Sequence, residues 1–251
     1  MLRSIVTLSV LLLLAPLHAS QEETAPADVR HLVDDDPHKA YYLLLPEKPR
    51  KKLHLVVALP GGNGQAADFL PWMKRVRDGL GKDYALAVVS APQWSKEQTE
   101  NVVWVTDYWR KSRYPDAKWS AEALAEEVLA DASRRLPKKP ASATLFGWSS
   151  AGPVVYAAAT QKKTPFDGFV VHCSVFKPDQ MGKLKNARKR RFYLLQGTED
   201  TVTRLRWAEE AEEALEKEKA VVELEAYAGG HGWSMPDPFG TLKRALEWVR
   251  D

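Results

Sequence analysis

The sequence has one cysteine, Cys173, and little excess of either charge, and each scarcity excludes a class of protein. A single cysteine excludes an internal disulfide framework and a zinc site built from several cysteines. Lysine and arginine total 36 against 33 aspartates and glutamates, and a net charge of +3 gives no electrostatic signature of nucleic-acid binding. Hydrophobic residues are 45% of the 251, which excludes a disordered chain and suits one α/β domain.

The first 20 residues have the layout of a secretory signal peptide. Arg3 gives a short basic start, residues 5–14 form an apolar run, and Pro16 precedes a small-residue cleavage site at Ala19 and Ser20. The run is shorter than the roughly 20 residues that cross a bilayer, so we expect cleavage and export without a stable membrane anchor. The predicted localisation is secreted or periplasmic, and loss of Arg3 lowers the net charge from +3 to +2.

Strand and helix patterns alternate along the rest of the chain. Residues 21–39 form a polar lead-in, and residues 40–251 are predicted to form one domain. Apolar runs predict strands at 41–45, 53–59, 84–90, 143–146, 169–174, 192–195 and 221–227; helical spacing predicts helices at 65–80, 120–136, 154–160, 205–215 and 239–249; residues 91–118 are irregular. Helices between strands require crossovers, so we expect a three-layer α/β fold with a mostly parallel central sheet and helices on both faces. In such sheets the chemistry gathers at the carboxyl ends of the strands.

A serine lies at one of these strand ends. Residues 147–152, Gly-Trp-Ser-Ser-Ala-Gly, join a short strand to a helix, and a sharp turn there would expose Ser149 as a nucleophile. The backbone N–H of Ser150 would then lie at a helix N-terminus, where developing negative charge is stabilised. A second donor is expected from the glycine-rich loop 60–64, with Gly62 as the candidate.

A base and an acid are available at two later strand ends. His231 follows the last strand on a glycine-rich loop that lets the ring reach Ser149, and His172, near the end of another strand, is the alternative base. Asp200 follows the strand at 192–195 and is the candidate acid, with its neighbour Glu199 as the alternative. Along the chain, whole strand–helix units lie between Ser149, Asp200 and His231. Because each unit brings the chain back to the same edge of a parallel sheet, the three side chains are expected to meet there.

These motifs together resemble the α/β-hydrolase superfamily over residues 40–250. Within it the chain is similar to compact exported esterases near the phospholipase/carboxylesterase and feruloyl-esterase/polyhydroxyalkanoate-depolymerase groups. The resemblance implies a Ser149–Asp200–His231 triad, an oxyanion hole at Gly62 and Ser150, and ester hydrolysis without cofactor or metal. The chain departs from the family pattern at three positions. Pro60 and Gln196 lie where many members have histidine, and Ala151 replaces the second glycine of the turn that carries the nucleophile.

The substrate is less sharply indicated. Six aromatic residues fall within 94–119, and Trp104 and Trp109, together with Trp148, are expected to line a cleft for a small-molecule or oligomeric ester. The alternative is that these rings pack an irregular loop onto the sheet. Short basic runs at 138–139, 162–163 and 188–191 are typical of solvated turns.

Three functions remain open at this point. The favoured one is an exported serine hydrolase of carboxylic esters. A serine peptidase of the same fold is the second, although such peptidases usually carry an extra domain that this chain has no room for. A non-catalytic binding protein on a hydrolase scaffold is the third.

Overall fold

The computed structural model describes residues 29–251, which form an eight-stranded sheet with helices on both faces. The strands are β1 (Val29–Leu32), β2 (Ala40–Leu44), β3 (His54–Leu59), β4 (Tyr84–Val89), β5 (Ser142–Trp148), β6 (Gly168–His172), β7 (Arg191–Gly197) and β8 (Val221–Tyr227). The helices are α1 (Ala66–Leu80), α2 (Lys96–Asn101), α3 (Asp107–Ser112), α4 (Ala121–Arg135), α5 (Gly152–Ala159), α6 (Leu205–Lys217) and α7 (Pro238–Trp248). The predicted three-layer architecture is confirmed.

The sheet has the order β1-β2-β4-β3-β5-β6-β7-β8. The parallel part of the sheet consists of six neighbouring strands, in the order β4, β3, β5, β6, β7 and β8. At one end of the sheet β2 pairs antiparallel with β4, and β1 pairs antiparallel with β2. Parallel pairing puts the carboxyl ends of β5, β7 and β8 at one edge of the sheet. The loops that follow these three strands carry the predicted triad.

Two apolar layers hold the helices on the sheet. Helices α1 and α7 pack on one face, around Val76, Leu80 and Leu246. Helices α4, α5 and α6 cover the other, where Leu124 and Leu215 are fully buried. The central strands β3 and β4 are buried along their whole length, as expected for strands covered on both faces.

The lead-in predicted for residues 21–39 requires a correction. Residues 29–32 form β1, the edge strand of the sheet, paired with β2 from Val29↔Leu43 to Leu32↔Ala40. The strand is short, and its residues are exposed or half-buried, so its sequence lacks the apolar signature of the inner strands. The predicted signal peptide, residues 1–20, and residues 21–28 lie outside the described part of the chain.

The irregular segment 91–118 contains two six-residue helices, α2 and α3. The hydroxyl of Ser95 caps α2 by accepting the N–H of Gln98. Helices of this length show too few turns for a hydrophobic period, which is why the sequence did not predict them. Among residues 29–251, no helix is long and apolar enough to cross a membrane.

Candidate active site

Ser149 lies on a strained turn between β5 and α5. Its φ of 52° is in the left-handed region, which non-glycine residues adopt uncommonly and which is concentrated at functional sites. The turn is tight, because a Cβ at Gly147 would lie 2.5 Å from the Val155 side chain and 3.0 Å from the carbonyl oxygen of Ala151. Small residues around the serine are therefore a steric requirement of this elbow.

The structure brings Ser149, His231 and Asp200 together in one hydrogen-bonded line. His231 Nε2 lies 2.9 Å from Ser149 Oγ, and His231 Nδ1 lies 2.8 Å from Asp200 Oδ2. The serine comes from the end of β5, the aspartate from the loop after β7 and the histidine from the loop after β8. Three segments distant in sequence thus meet at the carboxyl edge of the sheet.

Asp200 is buried but heavily hydrogen-bonded. The N–H groups of Val202 and Thr203 each donate to Oδ1 over 2.8 Å, and Thr203 Oγ1 and Gln196 Nε2 donate to Oδ2 over 2.6 Å and 3.1 Å. Burial raises the pKa of this carboxyl, but the hydrogen bonds from Thr203, His231 and the backbone outweigh it and hold the pKa well below the usual range.

The ionised carboxylate fixes the proton positions along the line. A carboxylate only accepts hydrogen bonds, so His231 Nδ1 must donate to Asp200. In the neutral ring Nε2 is then the acceptor, and it faces the hydroxyl of Ser149. The ring is oriented to receive the serine proton.

Neither alternative residue takes part in this line. The side chain of Glu199 is exposed, and its backbone N–H donates to the carbonyl of Gly229. His172 is fully buried, contacts Tyr227 Oη at 3.0 Å through Nε2, and stacks edge-on against Trp233 at 4.3 Å. Burial lowers the pKa of His172 to about 3, so the ring is neutral.

A buried hydroxyl holds the loop that carries His231. Tyr227 Oη donates to the carbonyl of Gly232 over 2.5 Å and lies 3.0 Å from both His172 Nε2 and Cys173 Sγ. Because the phenol proton is directed at Gly232, His172 must donate from Nε2. Its Nδ1 is then an acceptor, and it has no hydrogen-bond partner among residues 29–251. Tyr227 was not among the predicted site residues, because a tyrosine at the end of a strand has no distinguishing spacing.

The two predicted oxyanion donors lie on adjacent segments beside Ser149. Ser150 Oγ donates to the carbonyl of Gly62 over 3.2 Å, which ties the elbow to the glycine-rich loop. A Cβ at Gly61 would lie 2.9 Å from Ser149 Cβ, so this loop packs directly on the serine. Gly62 has a φ of 57°, a conformation that glycine adopts without strain.

The three tryptophans predicted to bind substrate have different positions. Trp148 is half-buried, stacks on His231 at 6.1 Å and meets Phe69 edge-on at 5.3 Å. Trp109 is half-buried beside the cation of Arg113. Trp104 is only 2% exposed and donates from its indole N–H to the carbonyl of Pro60 over 3.1 Å. The assignment of Trp104 to the cleft is therefore corrected, because its ring supports the glycine-rich loop from within the core.

One group of potential metal ligands overlaps this site. Ligand atoms of Cys173, Asp200 and His231 lie within 4.8 Å of one another. Burial raises the pKa of the Cys173 thiol, whereas a metal requires the thiolate. Asp200 and His231 are hydrogen-bonded to each other, and this arrangement suits proton transfer to and from Ser149 better than metal coordination.

The sheet order and the serine elbow define the α/β-hydrolase fold. A carboxylesterase of Bacillus cereus superposes with a TM-score of 0.57 at 17% identity, over 83% of this chain and 92% of its own. A thermophilic esterase of the planctomycete Thermogutta terrifontis, with propionate bound, gives 0.59 at 14% identity over 90% and 93%. Acyl-protein thioesterase 2 of Zea mays gives 0.56 at 13% identity over 84% and 99%.

No protein-family model and no curated protein sequence matches the chain. The similarity to these solved structures establishes the fold alone. One fold can support many chemistries, so the chemistry depends on the residues of the site.

Proposed function

We propose that this protein hydrolyses carboxylic esters through an acyl-enzyme formed on Ser149. The observation that carries the proposal is the unbroken hydrogen-bonded line from Asp200 through His231 to Ser149, with distances of 2.8 Å and 2.9 Å. A serine hydroxyl is a weak nucleophile unless a base beside it accepts its proton, and His231 Nε2 meets that requirement. The left-handed backbone of Ser149 at the elbow, with a φ of 52°, supports the same role.

Each residue of the line has one task in the proposed reaction. Ser149 Oγ attacks the acyl carbonyl while His231 takes its proton, and the N–H groups of Gly62 and Ser150 stabilise the oxyanion. The imidazolium then protonates the leaving alcohol. Water attacks the acyl-enzyme by the same route and releases the acid. Asp200 keeps His231 in the required tautomer and stabilises its charged form.

The structural neighbours favour esters as the substrate class. They include a carboxylesterase, an esterase and an acyl-protein thioesterase. We propose a small-molecule or oligomeric ester, with the Trp148 ring forming one wall beside the reacting carbonyl and Trp109 contributing at the rim. The stacking of Trp148 on His231 at 6.1 Å supports its place at the reaction centre.

The decisive test combines a covalent probe with steady-state kinetics. A fluorophosphonate should label Ser149, and Ser149→Ala should lose both labelling and hydrolysis of p-nitrophenyl esters. Ser133→Ala, a half-buried serine on α4 whose hydroxyl bonds the carbonyl of Leu129, is the matched control and should behave as wild type. Folded wild-type protein that resists the probe and leaves all esters intact would favour a non-catalytic binding protein.

A substrate series separates the ester hydrolase from its alternatives. Acyl esters of increasing chain length, feruloyl esters, acetylated sugars, thioesters and peptide amides with matched acyl groups should be compared at equal enzyme concentration. We expect the enzyme to cleave oxygen esters faster than amides with the same acyl group. Preferential amide cleavage would instead identify a serine peptidase.

We propose separately that the chain is exported after removal of residues 1–20. The support is the sequence alone: a basic start, an apolar run of residues 5–14 and small residues at the cut. Expression of the full chain in a bacterial host, followed by cell fractionation and N-terminal sequencing, tests it. Cytoplasmic protein that retains its first 20 residues would overturn the proposal.

A further inference from the structure

Basic side chains are concentrated at the edge of the sheet opposite the triad. Because β3 to β8 are parallel, the segments that precede these strands all reach the sheet at its amino-terminal edge. The six segments before the strands are residues 45–53, 81–83, 136–141, 160–167, 183–190 and 218–220. The chain end, residues 249–251, is counted with them. They hold 16 lysines and arginines against five aspartates and glutamates, a net charge of +11.

This concentration makes the molecule electrically asymmetric. Residues 29–251 contain 35 basic and 30 acidic residues, a net charge of +5, so everything outside these seven segments carries 5 − 11, or −6. The near-neutral composition therefore conceals a strongly basic face, which we call the basic edge. The basic runs 138–139 and 162–163, and residues 188–190 of the third run, are parts of it.

Hydrogen bonds join neighbouring segments of the basic edge into two groups of three, and the pairing of β5 with β6 places the two groups side by side. Arg50 N–H donates to the carbonyl of Lys82, Ala141 N–H to that of Leu53, and Lys189 N–H to that of Lys219. The guanidinium of Arg190 donates to the carbonyl oxygens of Ala159 and Lys162. Six strands spaced about 4.8 Å apart span roughly 24 Å along this edge.

Most of these cations are exposed and have no acidic partner among the described residues. Twelve of the 16 are lysines, and all 12 side chains are exposed. The ion pairs at this edge involve two of the four arginines, Arg50 with Asp83 and Arg250 with Glu247 and Asp251. The lysines thus repel one another, and the five acidic residues of the segments offset less than a third of the basic charge.

Helix C-termini explain only part of this charge. Helices α1, α4, α5, α6 and α7 end at the basic edge, and a cation in the last turn is favoured there. That effect falls off within one turn, whereas the 16 cations lie beyond the helices. Segments 45–53 and 183–190 follow no α-helix directly, and they alone contribute nine of the 16.

We propose that the basic edge binds the surface of an anionic lipid bilayer. The cations are spread in two dimensions, because the segments come from helices on both faces of the sheet, and this matches a planar array of charges better than a single polymer strand. Lysine is a point charge that needs no fixed geometry from its partner. The segments contain one aromatic residue, the buried Phe166, so the stacking that single-stranded nucleic acids require is not provided.

Binding in this way would leave the triad facing away from the membrane. Ser149 lies at the carboxyl edge and the lysines at the amino-terminal edge, so the protein would be held at the surface while the site stayed open to soluble substrate. No exposed aromatic or long apolar side chain of the segments would insert between lipids. Retention would be electrostatic, reversible and sensitive to salt.

Sedimentation with vesicles tests the proposal. Wild-type protein should bind vesicles of phosphatidylcholine with about one-third phosphatidylglycerol at low ionic strength, and salt should release it. The variant Lys138→Gln, Lys139→Gln, Lys162→Gln, Lys163→Gln should bind about two to three orders of magnitude more weakly, since each of the four basic residues near such a surface contributes about a fivefold factor. Its hydrolysis of a soluble ester should match wild type, which shows that it is folded.

A second fourfold variant is the matched control. Arg30→Gln, Lys96→Gln, Lys118→Gln, Arg206→Gln removes the same charge from exposed positions away from the basic edge and should bind vesicles within about twofold of wild type. Equal losses in the two variants would mean that net charge alone attracts the protein, and would overturn the proposal. Absence of binding to anionic vesicles, or equal binding to pure phosphatidylcholine, would also overturn it. Binding to heparin or RNA without binding to vesicles would replace the bilayer with a linear polyanion.

Discussion

At the scale of single residues, the candidate site depends on which carboxylate faces His231. Asp200 and Glu199 are neighbours in sequence, but Asp200 is buried with four donors on its oxygens besides His231, and Glu199 points into solvent. Replacing Asp200 by asparagine should therefore lower turnover of an activated ester by about 10⁴-fold, because the asparagine amide can favour the wrong tautomer of His231.

Glu199→Gln provides the internal comparison for that measurement. It makes the corresponding acid-to-amide change one position away on an exposed side chain, and it should leave kcat unaltered. If Glu199→Gln lost activity while Asp200→Asn kept it, with both proteins folded by circular dichroism, the acid would have to be reassigned to Glu199.

Tyr227 should be a positioning residue. Removing its hydroxyl leaves the buried Gly232 carbonyl without its donor, next to His231. We expect Tyr227→Phe to lower kcat by about ten- to a hundredfold with little change in KM, because small displacements of a catalytic group are costly.

Tyr193→Phe is the control for this substitution. It removes a hydrogen bond of similar length, 2.6 Å to Glu225, from a strand residue outside the His231 loop. Its kcat should stay near wild type. Equal kcat values for the two variants and wild type would remove Tyr227 from the mechanism.

At the scale of secondary-structure elements, the β5–α5 elbow is the most constrained feature. Gly147→Ala would place a methyl group 2.5 Å from the Val155 side chain, which the packed elbow cannot absorb. We expect a loss of about 1–3 kcal/mol in the free energy of unfolding, measured by urea denaturation.

Gly230→Ala is the comparison at the element scale. Within the described part of the chain, no atom outside the neighbouring residues lies within 4 Å of a Cβ built at Gly230, and the φ of Gly230 is not in the left-handed region. This substitution should cost little stability. A Gly147→Ala protein as stable as Gly230→Ala would show that the elbow can relax more than its geometry indicates.

At the scale of the whole molecule, one buried histidine should make stability depend on pH. The unfolded chain binds a proton at His172 with a pKa of about 6.5, whereas burial lowers the pKa in the folded state to about 3. The contribution is fully present above pH 6.5 and is lost as the pH falls towards 3. Its slope should approach about 1.4 kcal/mol per pH unit.

The pH dependence of urea midpoints checks this expectation. His172→Gln should flatten the decline in stability between pH 6.5 and 4, while His38→Gln, at an exposed position, should leave the wild-type slope. A His172→Gln variant whose stability declines as steeply as that of wild type would contradict the assignment. The comparison is between the two proteins because burial also raises the pKa of Glu122 to about 7, which opposes the effect of His172 in the wild-type profile.

Local patterns were sufficient to predict most of the scaffold. The inner strands and long helices have apolar periods that arise from burial on two faces or one, so β3 to β8 and α1, α4, α5, α6 and α7 were expected close to their observed positions. The edge strand β1 and the six-residue helices α2 and α3 were not, because they are too short or too exposed for burial to mark their sequences.

The available chemistry could be read from the residues alone: a serine in a small-residue elbow, a histidine after the last strand and a choice of two acids. The folded arrangement was needed to show that Asp200 faces His231, that Trp104 is buried, that Tyr227 holds Gly232, and that scattered lysines form one basic edge. The physical reason is that hydrophobic period and turn chemistry act over a few residues, whereas convergence depends on the order of parallel strands. That order joins positions dozens of residues apart, and no local spacing records it.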